Sequence, residues 1–263
     1  MIVAATLGLG LLIGLSLGAL GGGGSILTVP ALVYVIGQDA RAATTSSLFI
    51  VGVTSVIAAI GHARSGRVRW GVGVAFGVTG IAAGFAGTAV NRLVDPDVLL
   101  LAFAAVIVVA AVGMLANSRG EETAPQEGDA PHPARRWTPG KIGRIVGAGL
   151  LVGFMTGFFG VGGGFVIVPA LTLALGLSMP QAVATSLVVI SINSAGALLA
   201  RAGTAHFDWA VIIPFTLAAV AGSLGGKVVA DRVSGATLTR AFAVLLVAVA
   251  VYTATSSLIS LLG

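Results

Sequence analysis

Two glycine runs have the residue types and spacing best suited to binding a small ligand. Gly21–Gly24 precedes Ser25, and Gly160–Gly164 contains a single valine; each run is followed by a short apolar segment. Glycine lets the backbone turn freely and lets a ligand approach it closely. The first N–H groups of a helix lack intrahelical partners, and together with the helix dipole they attract an anion. We therefore predict that the two runs bind an anion.

Hydroxyl and amide side chains complete the predicted site. Ser and Thr in membrane helices commonly bond to their own backbone, and glycines commonly permit close helix packing. Both packing alternatives therefore stay open. Asn193 would need a partner or a ligand if it is buried, because an unpaired buried amide is costly. The predicted substrate-binding residues are Gly22, Gly23, Gly24, Ser25, Ser46, Ser47, Gly162, Gly163, Gly164, Thr185, Ser186 and Asn193.

The composition places these residues in a membrane. Hydrophobic residues make up 57% of the 263 residues, charged residues make up 9%, and the mean hydropathy is +1.06. Soluble domains carry about 25% charged residues, so this chain lacks the polar surface of a soluble protein. The net charge of +5 is explained by basic cytoplasmic loops. The sequence has no stripe of basic and aromatic residues that would indicate nucleic-acid binding. Met1–Leu20 is expected to be a retained membrane segment and not a signal peptide.

The residue types present in the sequence also predict that the protein is not an enzyme. The chain has no cysteine, and its histidines, His62, His132 and His206, are scattered over predicted helix ends, loops and linker. No nucleotide-binding motif and no buried acid–base pair is evident. We therefore predict no catalytic residues, no metal site and no cofactor.

The chain is an internal duplication. A constant offset of 139 residues relates Pro30 to Pro169 and Trp70 to Trp209, and the segments around both prolines end in the same Val-Pro-Ala-Leu. A repeat that matches prolines and tryptophans is not explained by apolar composition alone. We predict a first membrane repeat at 1–116, a polar cytoplasmic linker at 117–140 and a second membrane repeat at 141–263.

Each repeat contains five apolar elements, of which the second is too short to cross a bilayer unaided. We interpret this second element as a half-helix that follows a glycine break near the midplane, with Pro30 or Pro169 inside it as a structural residue. The first two elements either cross or form a re-entrant hairpin. The predicted elements are 2–20, 25–36, 42–61, 70–92 and 98–116 in the first repeat, and 141–159, 165–175, 181–200, 209–230 and 236–262 in the second.

Basic residues predict the orientation. The loop with Arg64, Arg67 and Arg69 should be cytoplasmic. An odd number of elements per repeat then inverts the second copy, which places Lys227 inside and Arg201 outside. The predicted fold is an all-α polytopic membrane protein with two inverted helical repeats. Broken helices at matching places of inverted repeats are typical of a transporter's central site.

The sequence resembles the sulfite exporter TauE/SafE family. Gly21–Leu32 and Gly160–Leu171 carry the likeness, together with Ala182–Leu187 and Gly225–Lys227. The resemblance implies movement of sulfite, thiosulfate, a sulfonate or an organosulfur acid across the bacterial inner membrane. It does not choose among these anions.

We therefore expect a secondary transporter in the lipid bilayer whose anion lies between two half-helix N-termini. A proton carried by the anion itself is a plausible coupling route, since sulfite protonates near neutral pH. The alternative is a passive small-anion channel, which would use weak binding at several sites. A homodimer is left open.

Overall fold

The computed structural model describes residues 2–91, 93–94, 96–121, 139–159, 164–201, 203 and 207–262. All regular secondary structure in these ranges is helical. The helices are α1 (Ile2–Leu20), α2 (Gly23–Pro30), α3 (Ala40–Ala63), α4 (Trp70–Asn91), α5 (Pro96–Glu121), α6 (Pro139–Phe159), α7 (Gly164–Pro169), α8 (Met179–Ala200), α9 (Trp209–Arg232) and α10 (Gly235–Leu262). Short π-helical segments, Ala31–Val35 and Ala170–Ala174, continue α2 and α7.

The helices have the length and surface of a multi-pass membrane protein. Within the described residues, six helices are long and apolar enough to cross a bilayer, namely α3, α4, α6, α8, α9 and α10 up to Tyr252. Large apolar side chains point outward, including Leu217, which is 66% exposed, and Val244, which is 68% exposed. Apolar outer faces of this extent suit lipid and not water. The predicted all-helical membrane fold is confirmed.

The predicted linker at 117–140 overlaps both neighbouring helices. Helix α5 continues to Glu121, and α6 begins at Pro139. The remainder of the predicted linker, including His132, lies outside the described residues.

Helix α2 folds back along α1. A Cβ atom at Gly24 would lie 2.7 Å from the Leu17 Cβ and 2.6 Å from the Ile13 carbonyl oxygen. Further along, Leu32 packs in one cluster with Ile13 and Leu9. A segment of 13 residues spans about 20 Å, less than the hydrocarbon core of about 30 Å. The first two elements thus form a helical hairpin whose second arm is short.

Pro30 and Pro169 mark the change from α-helix to π-helix in the two short arms. Each proline is the last residue of its α-helix, and the π-helical segment begins at the next residue. Proline has no N–H, and its ring crowds the carbonyl of the preceding turn. The extra residue of a π-turn accommodates that misfit. Each copy therefore accommodates its proline by a widened helical turn.

Each of the main helix interfaces joins a helix of one repeat to a helix of the other. The most extensive interfaces join α1 to α9, α4 to α6, α5 to α10 and α3 to α8. Exchanging each helix for its repeat counterpart returns the same set of pairs. A self-complementary pattern of this kind is what a twofold relation between two units produces.

Glycines let the backbones of these pairs touch. A Cβ atom at Gly14 of α1 would lie 1.9 Å from the Ala219 carbonyl oxygen of α9, and one at Gly153 of α6 would lie 2.2 Å from the Gly80 carbonyl oxygen of α4. Gly14 and Gly153 are 139 residues apart, as are Gly80 and Ala219. Close backbone contact through small residues is how helices associate without a hydrophobic driving force.

Helices α3 and α8 run antiparallel. Gly52 of α3 lies against Ser194 of α8, with the two Cβ positions 3.1 Å apart. Earlier in α3, the Thr45 hydroxyl accepts a hydrogen bond at 3.5 Å from Arg201, later in the chain than Ser194. Antiparallel packing of two equivalent helices supports the inversion of the repeats, which stays a prediction.

Candidate functional site

The first glycine break is a sharp turn between α1 and α2. Gly21 has φ of +69°, a left-handed conformation that glycine adopts at little cost. Gly22 is the N-cap of α2, and the Ser25 hydroxyl donates a hydrogen bond at 2.7 Å to the Gly22 carbonyl oxygen. The hydroxyl and the first turn of α2 are buried. A polar turn is thereby held inside an apolar protein.

The starts of α2 and α7 meet at this turn. A Cβ atom at Gly22 would lie 1.6 Å from the Gly164 carbonyl oxygen, and one at Gly164 would lie 2.2 Å from the Ser25 hydroxyl. Ser25 and Gly164 are related by the repeat offset, and equivalent residues touch each other beside a twofold axis. The structure thus brings Gly22, Ser25 and Gly164 of the predicted set together. Gly162 and Gly163 lie outside the described residues.

Ser186 joins the same group. A Cβ atom at Gly21 would lie 2.4 Å from the Ser186 hydroxyl, which donates to the Val183 carbonyl oxygen at 2.8 Å. Its repeat counterpart, Ser47, makes the same bond at 2.8 Å to the Thr44 carbonyl oxygen. The lone pairs of both hydroxyl oxygens can still accept, and their protons can rotate toward a ligand.

Gly23 and Gly24 face neighbouring helices. A Cβ atom at Gly23 would lie 2.7 Å from the Leu245 Cδ2 of α10, and Gly24 lies against α1 as described above. Their side of α2 is therefore a packing surface, although their backbone N–H groups belong to the first turn. The binding role predicted for these two glycines rests on the backbone alone.

Thr185 and Ser46 occupy equivalent positions with different surroundings. Thr185 is fully buried, and its hydroxyl accepts a hydrogen bond at 3.1 Å from the backbone N–H of Arg69, just before α4. Ser46 is also fully buried, but its hydroxyl has no hydrogen-bond partner in the described part of the chain. Thr185 thus ties α8 to α4, whereas Ser46 retains a free polar atom.

Asn193 lies apart from the glycine breaks. It follows Ser186 by seven residues, which is about 10 Å along α8. A Cβ atom at Gly80 would lie 3.6 Å from the Asn193 Oδ1, beside the contact of α4 with Gly149. This Oδ1 is buried and has no partner among the described residues. An unpaired buried acceptor costs about 1–3 kcal/mol, so Asn193 remains a candidate ligand-binding residue at a second level of the structure.

Sequence reasoning missed two buried hydroxyl side chains of α3. Thr54 and Ser55 are the repeat counterparts of Asn193 and Ser194. Their hydroxyls are buried and lack partners in the described ranges. Asn193 was a predicted site residue, and the repeat offset makes Thr54 its counterpart in the first copy. The sequence therefore contained the information needed to include Thr54.

It also missed the surroundings of His62. This residue is 1% exposed, whereas the sequence placed it only among histidines scattered over predicted helix ends, loops and linker. At the same end, Asp231 of α9 pairs with Arg67 and Lys227. These basic residues were predicted to share one side of the membrane, and the shared carboxylate agrees with that grouping.

Metal binding receives no support from the described part of the chain. In these ranges, no group of three or more His, Cys, Asp or Glu side chains lies close enough to hold an ion. One apolar groove between α5 and α10, of about 430 Å³, is lined by Ala and Val and offers an anion no hydrogen bond. The glycine breaks and the polar residues of α3 and α8 remain the candidate site.

A duplicated bundle of long apolar helices, in which each copy also contains one short helix, defines a polytopic membrane protein. The sequence profile described as sulfite exporter TauE/SafE matches residues 6–253. The chain belongs to the sulfite exporter TauE/SafE family. The resemblance inferred from the glycine-proline segments is thereby confirmed.

Similar proteins carry transporter names. A probable membrane transporter protein of Xylella fastidiosa strain 9a5c is 35% identical over 251 residues, covering 94% of this chain and 93% of the relative. A probable membrane transporter protein of Methanocaldococcus jannaschii is 27% identical over 72% of this chain and 68% of the relative. YunE of Bacillus subtilis, also named a probable membrane transporter protein, is 26% identical over 83% of this chain and 84% of the relative. No solved structure matches the chain significantly.

Proposed function

We propose that the chain is a secondary transporter that moves a small sulfur-containing anion, such as sulfite, thiosulfate or a sulfonate, across the bacterial inner membrane. The contact between the starts of α2 and α7 at Ser25 and Gly164 carries the proposal. The first N–H groups of α2 and the hydroxyls of Ser25 and Ser186 supply donors in a buried, low-dielectric setting. Such donors bind an anion more strongly than they would in water.

The anion binds in a conformation in which α2 and α7 have separated. In the present structure Gly22 and Gly164 are in direct backbone contact, which leaves no space for an ion between them. Alternating access requires that the central passage close in at least one state. The closed contact therefore favours a carrier over a permanently open channel.

Inverted repeats form part of the same proposal. The antiparallel course of α3 and α8 supports them, because equivalent membrane-spanning helices run in opposite directions only if the copies are inverted. The shared Asp231 supports a cytoplasmic end that carries Arg67 and Lys227. A homodimer and proton co-transport stay predictions.

The first experiment measures anion binding by calorimetry on the purified protein, followed by transport in proteoliposomes. The panel contains sulfite, thiosulfate, sulfate, sulfoacetate and a carboxylate control. We expect saturable binding of one sulfur anion, weakened about 10- to 100-fold in Ser25→Ala and in Ser186→Ala, since a hydrogen bond to a charged group contributes about 1.5–3 kcal/mol. Ser47→Ala tests whether the first copy contributes equally.

Ser191→Ala is the matched control. The Ser191 hydroxyl donates at 2.7 Å to the Leu187 carbonyl oxygen of its own helix, five residues beyond Ser186. We expect its anion affinity to equal that of the unmodified protein. Binding that survives Ser25→Ala, Ser186→Ala and Ser47→Ala together would move the site away from the glycine breaks. Currents far above carrier turnover would instead identify a channel.

A further inference from the structure

His62 is a buried titratable residue with one unused nitrogen. It lies in the last turn of α3 and is 1% exposed. Its Nε2 lies 3.0 Å from the Gly18 carbonyl oxygen of α1. A carbonyl only accepts, so Nε2 carries the hydrogen and the neutral ring has its lone pair on Nδ1. That Nδ1 is buried and has no hydrogen-bond partner among the described residues.

Charged groups face His62 from α9 and from the loop after α3. Lys227 and Asp231 belong to α9, Arg67 belongs to the loop, and all three act electrostatically on the imidazole. Helix α1 contributes only the Gly18 carbonyl. The Asp231 carboxylate is engaged by both cations, with the Lys227 Nζ at 2.6 Å and the Arg67 guanidinium in contact. The surroundings of the ring thus sum to one positive charge.

We propose that His62 is a proton-binding site whose protonation opens the end of the molecule where α1, α3 and α9 meet. This proposal rests on the transport function proposed above and names the group that links it to protons. A proton taken from solution would bind the Nδ1 lone pair. The new N–H would be buried without an acceptor in the present packing, and an unpaired charged donor is more costly than a neutral one.

Asp231 is the group that can accept the new N–H. To reach the protonated ring, its carboxylate must loosen its contact with Arg67 or Lys227. The observed packing therefore favours the neutral imidazole of His62. A protonated imidazole favours a different packing where α1, α3 and α9 meet. A ligand that binds one of two states shifts the population toward that state, and here the ligand is the proton.

The contact partner of His62 connects this end to the anion site. Gly18 lies three residues before Gly21, in the last turn of α1, and a Cβ atom at Gly18 would lie 2.0 Å from the Ser223 carbonyl oxygen of α9. Movement at Gly18 therefore displaces the glycine break directly. The repeat counterpart of His62 is Arg201, which stays charged at all physiological pH values. Of these two equivalent residues, only His62 can take up a proton in this way.

The absence of cysteine from the chain permits a direct test. Ala58, one turn before His62, is 1% exposed and packs in one cluster with Leu17 of α1. The alkylation rate of an Ala58→Cys variant, divided by that of the exposed Ser65→Cys variant, reports opening of this end. We expect the ratio to rise about fourfold between about pH 8 and about pH 6, the range over which an accessible imidazole takes up its proton.

His62→Gln is the deciding variant, because glutamine can donate to the Gly18 carbonyl but cannot take up a proton. We expect its alkylation ratio to be independent of pH. His132→Gln, which changes a histidine of the predicted linker, is expected to retain the full response. Asp231→Asn removes the carboxylate charge that would stabilise the protonated ring, and it is expected to suppress the response even if His62→Gln fails to fold. A rise that persists in both His62→Gln and Asp231→Asn would overturn the proposal.

Uptake of labelled thiosulfate into proteoliposomes separates this proposal from the proposed function. Thiosulfate stays ionised over the tested range, so it cannot carry the proton itself. We expect a pH gradient to accelerate uptake by the unmodified protein and to have no effect on His62→Gln, which still takes up the anion. Absence of uptake of every anion would refute the transport function while leaving the alkylation result intact. Equal gradient dependence in both proteins would refute the role of His62.

Discussion

The interface of α1 with α9 and the interface of α4 with α6 are built in the same way. Gly14 approaches Ala219 as Gly153 approaches Gly80, with backbone-to-backbone contact in both. The two ends of the α3–α8 pair differ instead. His62 and the Asp231 ion pairs occupy one end, and at the other Arg201 bonds to Thr45.

The helix-packing interfaces are therefore alike in the two copies, whereas the polar and charged residues differ. A helix contact without a cavity requires small residues at fixed positions, so a duplicated pair retains them in both copies. The polar side chains at the two ends of the α3–α8 pair are not required to be small, so each end can carry its own charges. A membrane-spanning transporter exposes its two ends to different compartments, so unequal ends provide a physical basis for direction. The following predictions test the symmetric scaffold and the unequal polar groups.

The largest expected effect is all-or-none labelling from opposite sides of the membrane. Arg64 and Gly203 follow α3 and α8, are both exposed, and are related by the repeat offset. If the copies are inverted, a membrane-impermeant thiol reagent labels Arg64→Cys only from the cytoplasmic side and Gly203→Cys only from the other. Labelling of both positions from one side would establish parallel repeats and contradict the proposed topology.

The next largest effect concerns the equivalent glycines. Gly14→Ala and Gly153→Ala should each lower the free energy of unfolding by about 3 kcal/mol or more, because the methyl group meets a backbone carbonyl that cannot move aside. Melting in detergent should fall by about 6 °C or more in both variants.

Gly8 and Gly147 provide the matched controls, since they are also repeat counterparts and a Cβ atom at either would meet nothing within 4 Å. Alanine at these positions should stabilise the helix by about 0.5–1 kcal/mol. Equal melting temperatures for Gly14→Ala and Gly8→Ala would contradict the described α1–α9 contact.

A smaller effect tests whether the anion binds at Asn193 as well as at the glycine breaks. Asn193→Thr installs the residue of the first copy and removes the buried, unpaired Oδ1. We expect stability to stay within about 1 kcal/mol of the unmodified protein, while anion affinity falls about tenfold if the amide binds the anion. Calorimetry and thermal unfolding of the same preparation measure both quantities.

Asn91→Thr is the contrasting control. The Asn91 amide donates at 2.6 Å to the Phe158 carbonyl oxygen, so its loss should lower stability by about 1 kcal/mol without changing anion affinity. Unchanged affinity in Asn193→Thr would remove Asn193 from the predicted site and leave the glycine breaks as the only level that binds.

Much of this architecture was determined by the sequence alone. Helix α1 covers the predicted range 2–20, and the other helices differ from their predicted bounds by a few residues, because apolar length and glycine or proline breaks are local properties. The repeat offset also identified which positions of the two copies correspond, since Pro30 and Pro169 are recognisable without coordinates.

Only the tertiary structure decided which face of each helix meets which neighbour. In a membrane protein apolar residues surround the whole helix, so no apolar stripe points to a partner. The sequence therefore did not distinguish Gly22, which faces Gly164, from Gly23, which faces Leu245. It also did not reveal that His62 is buried against Gly18, because burial near a helix end depends on neighbours that are distant in the chain.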